Sequence, residues 1–148
     1  TRVTFKYWFI QKILRINSNV PWPVHWTSQV KEPKNILKGD GLPGISMGCY
    51  FDGRNGIEIG KNVWIGPRVS IISMNHKPCR YEEYEKEQKI KIGNNCWIAT
   101  NAIILPGVEL GNHVIVGAGS VVTKSFLESD IVIAGNPAKV IKRLKPYG

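Results

Sequence analysis

The run Ile92-Gly93-Asn94-Asn95-Cys96-Trp97-Ile98-Ala99-Thr100-Asn101-Ala102-Ile103-Ile104-Leu105-Pro106-Gly107-Val108-Glu109-Leu110-Gly111 places an aliphatic residue at every sixth position. The beat extends outward on both sides, with Ile59, Ile65 and Ile71 before the run and Val116 and Val122 after it. Ile, Leu and Val make up 39 of the 148 residues, so nine hits in nine at the repeat positions would arise by chance with a probability of about 10⁻⁵. The next residue is Gly or Ala in six cases: Gly60, Gly66, Gly93, Ala99, Gly111 and Gly117. Four residues past each aliphatic stands Val63, Val69, Asn75, Cys96, Ala102, Val108, Val114, Ser120 or Phe126, most of them small or β-branched.

A period of six fits neither a 3.6-residue helix nor a plain alternating hairpin, because each unit combines a short strand with a turn. If three units close one triangular coil, every eighteenth residue stacks on its predecessor at a strand spacing of about 4.8 Å, and the aliphatic side chains form an inward column. Gly or Ala beside that column suits a corner, where a larger side chain would crowd the neighbouring coil. The spacing therefore predicts an all-β fold, a parallel β-solenoid over residues 45–125.

The flanks differ. Phe5, Trp8, Phe9, Ile13, Leu14 and Ile16 alternate with Lys6, Gln11, Lys12 and Arg15, which predicts an amphipathic helix over residues 3–17. That helix is expected to pack on the solenoid or on a partner subunit, with peripheral membrane contact through residues 1–17 as the competing use of a basic, aromatic-rich helix. Pro21, Trp22 and Pro23 break it, and residues 1–44 are read as helix plus cap, with residues 126–148 capping the other end.

Composition narrows the function. The formal net charge of +9 invites a polyanionic partner. The basic residues are dispersed, however, without an aromatic RNA-binding run, zinc-finger spacing or arginine-rich arm, so nucleic acid is not expected and a phosphorylated small molecule explains the charge equally well. No run of eighteen apolar residues occurs, and Cys49, Cys79 and Cys96 read as free thiols, which predicts a cytoplasmic location.

The repeat breaks after Ile71. Three hexapeptides span eighteen residues, whereas Ile71 to Ile92 is twenty-one, so an insertion over residues 77–89, carrying Glu82, Glu83, Glu85 and Glu87, loops out just after Asn75-His76. A histidine there offers a base of near-neutral pKa. His113 falls at a repeat corner, where solvation explains it, and His25 sits among the aromatic residues of the cap. The three histidines lack the close pairing a zinc site needs, so no metal is expected.

The repeat, the Asn75-His76 pair and the terminal stretches Val121-Val122-Thr123-Lys124 and Ala134-Gly135-Asn136-Pro137-Ala138-Lys139-Val140-Ile141-Lys142 together resemble the hexapeptide-repeat acyltransferases, most closely those that acetylate polysaccharides and sugars. The resemblance implies a left-handed parallel β-helix, acetyl-CoA as donor, a homotrimer and a saccharide hydroxyl as acceptor. It implies His76 as general base beside Asn75, and Trp97 next to the thioester arm. It also implies the Thr100 and Ala118 amides facing that arm, Thr123 and Lys124 along the pantetheine or adenine, and Lys139 and Lys142 near the phosphates. Tyr50 and Asp52 of the first coil are the residues implied for holding the acceptor or orienting the histidine. Cys96, at an inward small-residue position, reads as a buried thiol rather than a nucleophile. The competing readings are a xenobiotic or amino-sugar N-acetyltransferase and a non-catalytic trimeric scaffold.

Overall fold

The computed structural model describes residues 2–86 and 88–148, with side chains described from residue 5 onward. Short parallel strands stack into three faces. The first face holds Gln29–Lys31, Tyr50–Asp52, Ser70–Ile72, Ile103–Ile104 and Val121–Val122. The second holds Trp64–Ile65, Trp97–Ile98, Val114–Val116 and Ile131–Gly135, and ends with the antiparallel strand Ala138–Arg143. The third holds Ile36–Leu37, Ile57–Ile59, Ile90–Ile92 and Glu109–Leu110.

The register follows the beat in the sequence. Ile65, Ile98, Val116 and Ile133 pair in succession down the second face, as do Phe51, Ile71, Ile104 and Val122 down the first. Ile98, Val116, Ile133, Ile71, Ile104 and Val122 are fully buried, whereas Ile65 is partly buried against the core. Burying such side chains is worth about 1.5–3 kcal/mol each. The second inward position holds Val69, Cys96, Ala102, Val108, Val114 and Ser120, all buried.

The small residues beside the column are required by close approach. A Cβ on Gly60 would lie 2.8 Å from the Gly93 carbonyl carbon, and one on Gly93 would lie 2.4 Å from the Gly111 carbonyl oxygen, so successive backbones nearly touch at this corner. Beside it the turns take left-handed backbone at Asn62, Asn95, His113 and Asp130. Asn and Asp accept that conformation more readily than other non-glycine residues.

The insertion is larger than its residue count suggests. Ile92 pairs with Ile59 and occupies the hexad directly after Ile71, so coils that are 18 residues apart lower down (Ile98 to Val116) are 33 apart here (Ile65 to Ile98). The excursion thus holds 15 extra residues, against the three implied by counting three hexapeptides. Its described part forms an antiparallel hairpin, His76–Lys77 against Arg80–Tyr84. Glu87 lies outside the described residues.

The N-terminal helix spans Arg2–Ile13 and stops short of residue 17, since Arg15 and Asn17 adopt left-handed backbone. Its packing reverses expectation. Gln11 is only 3% exposed, and its amide donates to the carbonyls of Asn17 and Trp22 while its oxygen accepts from the Val24 amide. Phe5, Trp8, Phe9 and Ile13 remain exposed. Backbone groups of the cap need partners when buried, and a glutamine supplies both kinds at once.

Candidate functional site

His76 leaves the solenoid at the corner between the first and third faces, at the foot of the hairpin, and its ring is exposed. The Nδ1 atom meets the Tyr81 carbonyl oxygen. A carbonyl only accepts, so the neutral imidazole carries its proton on Nδ1 and presents the Nε2 lone pair outward. The Asn75 side chain is exposed, and the backbone carbonyl of Asn75 accepts the Glu85 amide at 2.9 Å, closing the neck of the excursion.

The turn after Tyr50–Asp52 supports this neck. The Asn55 side-chain amide donates to the carbonyls of Ser73 (2.9 Å) and Glu85 (3.2 Å), and the Asn55 amide donates to the buried Ser73 hydroxyl at 2.9 Å. Asp52 is 1% exposed and its carboxylate is saturated by Arg54. Arg54 Nε donates to both oxygens (2.9 and 3.1 Å), Nη2 to Oδ2 (2.6 Å) and the Arg54 amide to Oδ1 (3.2 Å). Burial alone would raise this carboxyl, but the Arg54 hydrogen bonds and charge outweigh it and hold Asp52 below its ordinary value of 3.8. With its oxygens so engaged, the Asp52 carboxylate meets the surroundings of His76 through Arg54, while the Asp52 backbone carbonyl accepts the Ser73 amide at 3.1 Å. Tyr50 is half-buried, with the Lys31 ammonium 5.3 Å from its ring.

The residues expected around the donor divide between two corners. Thr100 and Ala118 lie in turns between the second and first faces, and neither amide donates a hydrogen bond among the described residues. The Thr100 hydroxyl donates to the Pro67 carbonyl at 2.9 Å. Trp97 stands beside this corner, 53% exposed, and pairs in register with Trp64, itself 70% exposed, so that two indoles occupy adjacent coils of one face. Lys139 pairs with Ala134 and Lys142 with Val132 on the terminal hairpin of the same face, both exposed. Thr123 and Lys124 follow Val121–Val122 and so fall at the corner where His76 leaves. One protomer therefore holds His76 and the free amides at opposite ends of its first face and does not bring them together.

His113 departs from the solvated reading: it is half-buried, with Nδ1 2.7 Å from Asp130 Oδ1 and its ring 4.9 Å from that of Tyr147. His25 stacks on Trp26 at 5.4 Å and meets Tyr7 edge-on at 5.0 Å. Burial pushes the Cys96 thiol up, away from the reactive thiolate. Among the described residues no group of three or more metal-ligating side chains converges. The sequence reading missed Arg54, Asn55 and Tyr84, whose contacts across the excursion, Asn55 to Glu85 and Arg54 to Tyr84, join residues 30 apart, outside the eighteen-residue coil spacing.

Residues 89–124 match the family model described as bacterial transferase hexapeptide (six repeats). The chain is 38% identical over 92 residues to the galactoside O-acetyltransferase of Escherichia coli, an alignment covering 60% of this chain and 44% of that protein. The structure of a maltose O-acetyltransferase from Clostridium difficile superposes with a TM-score of 0.70 at 35% identity, covering 80% of this chain and 64% of that one. A hexapeptide-repeat acetyltransferase from Vibrio cholerae, solved with acetyl coenzyme A, gives 0.68 at 29% identity, covering 80% and 68%. The chain spans 44 to 63% of the length of the curated relatives it matches. By repeat, coil register and sequence likeness, this chain is a hexapeptide-repeat, left-handed parallel β-helix protein resembling the sugar O-acetyltransferases.

Proposed function

We propose that the protein is an acetyl-CoA-dependent O-acetyltransferase acting on a saccharide hydroxyl of a surface-polysaccharide precursor, in the cytoplasm, with His76 as general base. The observation that carries this reading is the exposed His76 ring, fixed by the Tyr81 carbonyl so that Nε2 is the free base. Nε2 takes the proton of the acceptor hydroxyl as its oxygen attacks the thioester carbonyl. The tetrahedral intermediate collapses with cleavage of the C–S bond, and the imidazolium returns the proton to the departing thiolate. Such a base contributes about 10²- to 10⁴-fold. The Thr100 amide suits the oxyanion, since it donates to no partner among the described residues. The Ala118 amide, Trp97, Thr123, Lys124, Lys139 and Lys142 are assigned to coenzyme A.

A homotrimer accounts for the split between corners, because a neighbouring copy can bring its free amides and Trp97 to the corner that carries His76. Replacing His76 by Ala is expected to lower thiol release from acetyl-CoA in the presence of acceptor by about 10²-fold or more while coenzyme A binding by calorimetry persists. Retention of the full rate would remove the base. Absence of coenzyme A binding at millimolar concentration would favour a scaffold.

The N-terminal helix supports a peripheral contact with an anionic membrane surface. It commits the buried Gln11 side chain to the cap and leaves Phe5, Trp8, Phe9 and Ile13 facing out. Residues 2–31 carry Arg2, Lys6, Lys12, Arg15 and Lys31 with no Asp or Glu. Aromatic side chains combined with cations alone match a headgroup boundary. No helix among the described residues is long and apolar enough to cross a membrane. Co-flotation with phosphatidylglycerol vesicles, lost on replacing Trp8 and Phe9 by Ser, is the expected result, and equal flotation of the variant would remove the contact.

A further inference from the structure

We propose that Arg54 is the positioning residue of the His76 imidazole, acting through Tyr84. The inference rests on His76 being the base, and it concerns how that base is held. A hairpin of two residues against five cannot fix its own position, since an isolated two-stranded ribbon is marginally stable in water. Asn55 ties the two ends of the excursion at its neck. Above the neck, Tyr84 pairs with His76 across the hairpin, and the two rings lie 4.6 Å apart at 37°. The same Tyr84 ring has the Arg54 guanidinium 4.6 Å from its centroid. Tyr84 thus touches both the base and a cation whose N–H edge is occupied by the buried Asp52 carboxylate. A planar guanidinium presents an edge to a carboxylate and a face to an aromatic ring at once, which an ammonium cannot do.

The consequence falls on the tautomer. The Tyr81 carbonyl that keeps the proton on Nδ1 belongs to the same hairpin strand as Tyr84. If the strand loses its brace, the imidazole is free to carry its proton on Nε2, and the lone pair then points away from the acceptor. Displacement of a reacting group by about 1 Å costs about 10²-fold.

The test uses the full chain labelled with ¹⁵N-histidine at pH 8.5, about two units above the ordinary imidazole value, with His76→Gln to assign the ring signals. The unmodified chain and Tyr84→Phe are expected to show His76 protonated on Nδ1. Arg54→Met, Arg54→Lys and Tyr84→Ala are expected to shift the ring toward the Nε2–H form. The same three variants should lower kcat for acetyl transfer by about 10- to 100-fold, with KM for acetyl-CoA changed by less than about 2-fold. Retention of the Nδ1–H form in Tyr84→Ala overturns the proposal. Should Arg54→Met fail to fold because Asp52 is left buried and uncompensated, Tyr84→Ala decides alone, as it leaves the Asp52–Arg54 pair intact. A tautomer shift in a protein that transfers no acetyl group in any form would sustain the positioning role and remove the acetyltransferase reading.

Discussion

Residues 90–133 and residues 73–86 of the same chain are held in different ways. In the former every inward side chain has a counterpart one coil away: Ile98 sits on Val116 and Val116 on Ile133, and each corner backbone rests on the next. In the latter nothing repeats, and placement depends on single contacts made by Arg54, Asn55 and the Glu85 amide. Stability is therefore spread along the stack, whereas the position of His76 hangs on a few side chains, and damage to either region should leave the other largely unaffected.

The most severe way to break the comparison is to remove residues 75–89 and replace Met74 by Gly, the residue found at the matching position 107, where φ is 73°. The shortened chain restores the eighteen-residue spacing and is expected to fold cooperatively by circular dichroism, while acetyl transfer falls by about 10²-fold or more. Conversely, Ile98→Ala should cost about 2–5 kcal/mol in urea unfolding with its kcat retained. Gly93→Ala should cost about 1–3 kcal/mol, because the added methyl meets backbone 2.4 Å away that belongs to the next coil. Acid sensitivity sharpens the contrast further. Asp52 is held below its ordinary value in the folded state, so its contribution is present above that value and is lost as pH falls through the folded one. Urea midpoints should therefore drop more steeply below about pH 4 in the parent than in Asp52→Asn. Least of all, Lys91→Met removes a half-exposed pair with Glu109 at 3.1 Å and should change stability by less than about 1 kcal/mol.

The legible parts of the molecule are those in which a residue's environment repeats. The inward columns, the glycine corners and buried Cys96 could be read because the same residue types recur every six residues on both sides of the excursion, so that coils clear of it stack at about eighteen residues, as from Ile98 to Val116. Asn75-His76 could be placed at an interruption, but the size of that interruption could not, because a count between aliphatic residues does not say which face the next one occupies. Register with Ile59 put Ile92 on the third face. Arg54 and Tyr84 gave no signal, as their partners are separated by an excursion of irregular length. The helix misled in another way: an apolar periodicity states which side chains share a side, not which side faces inward, and Gln11 found buried backbone groups to satisfy.

The sequence by itself determined the solenoid, its repeat length, its small-residue corners and the point at which a histidine leaves it, because each is a periodic or locally interrupted pattern. Only the tertiary structure decided which imidazole nitrogen meets the Tyr81 carbonyl, that Tyr84 lies between the ring and Arg54, and that His76 and the Thr100 and Ala118 amides stand at opposite ends of one face. The physical reason is that hydrogen bonds and ring contacts act over a few ångströms whatever the distance along the chain, and only folding fixes which groups come that close.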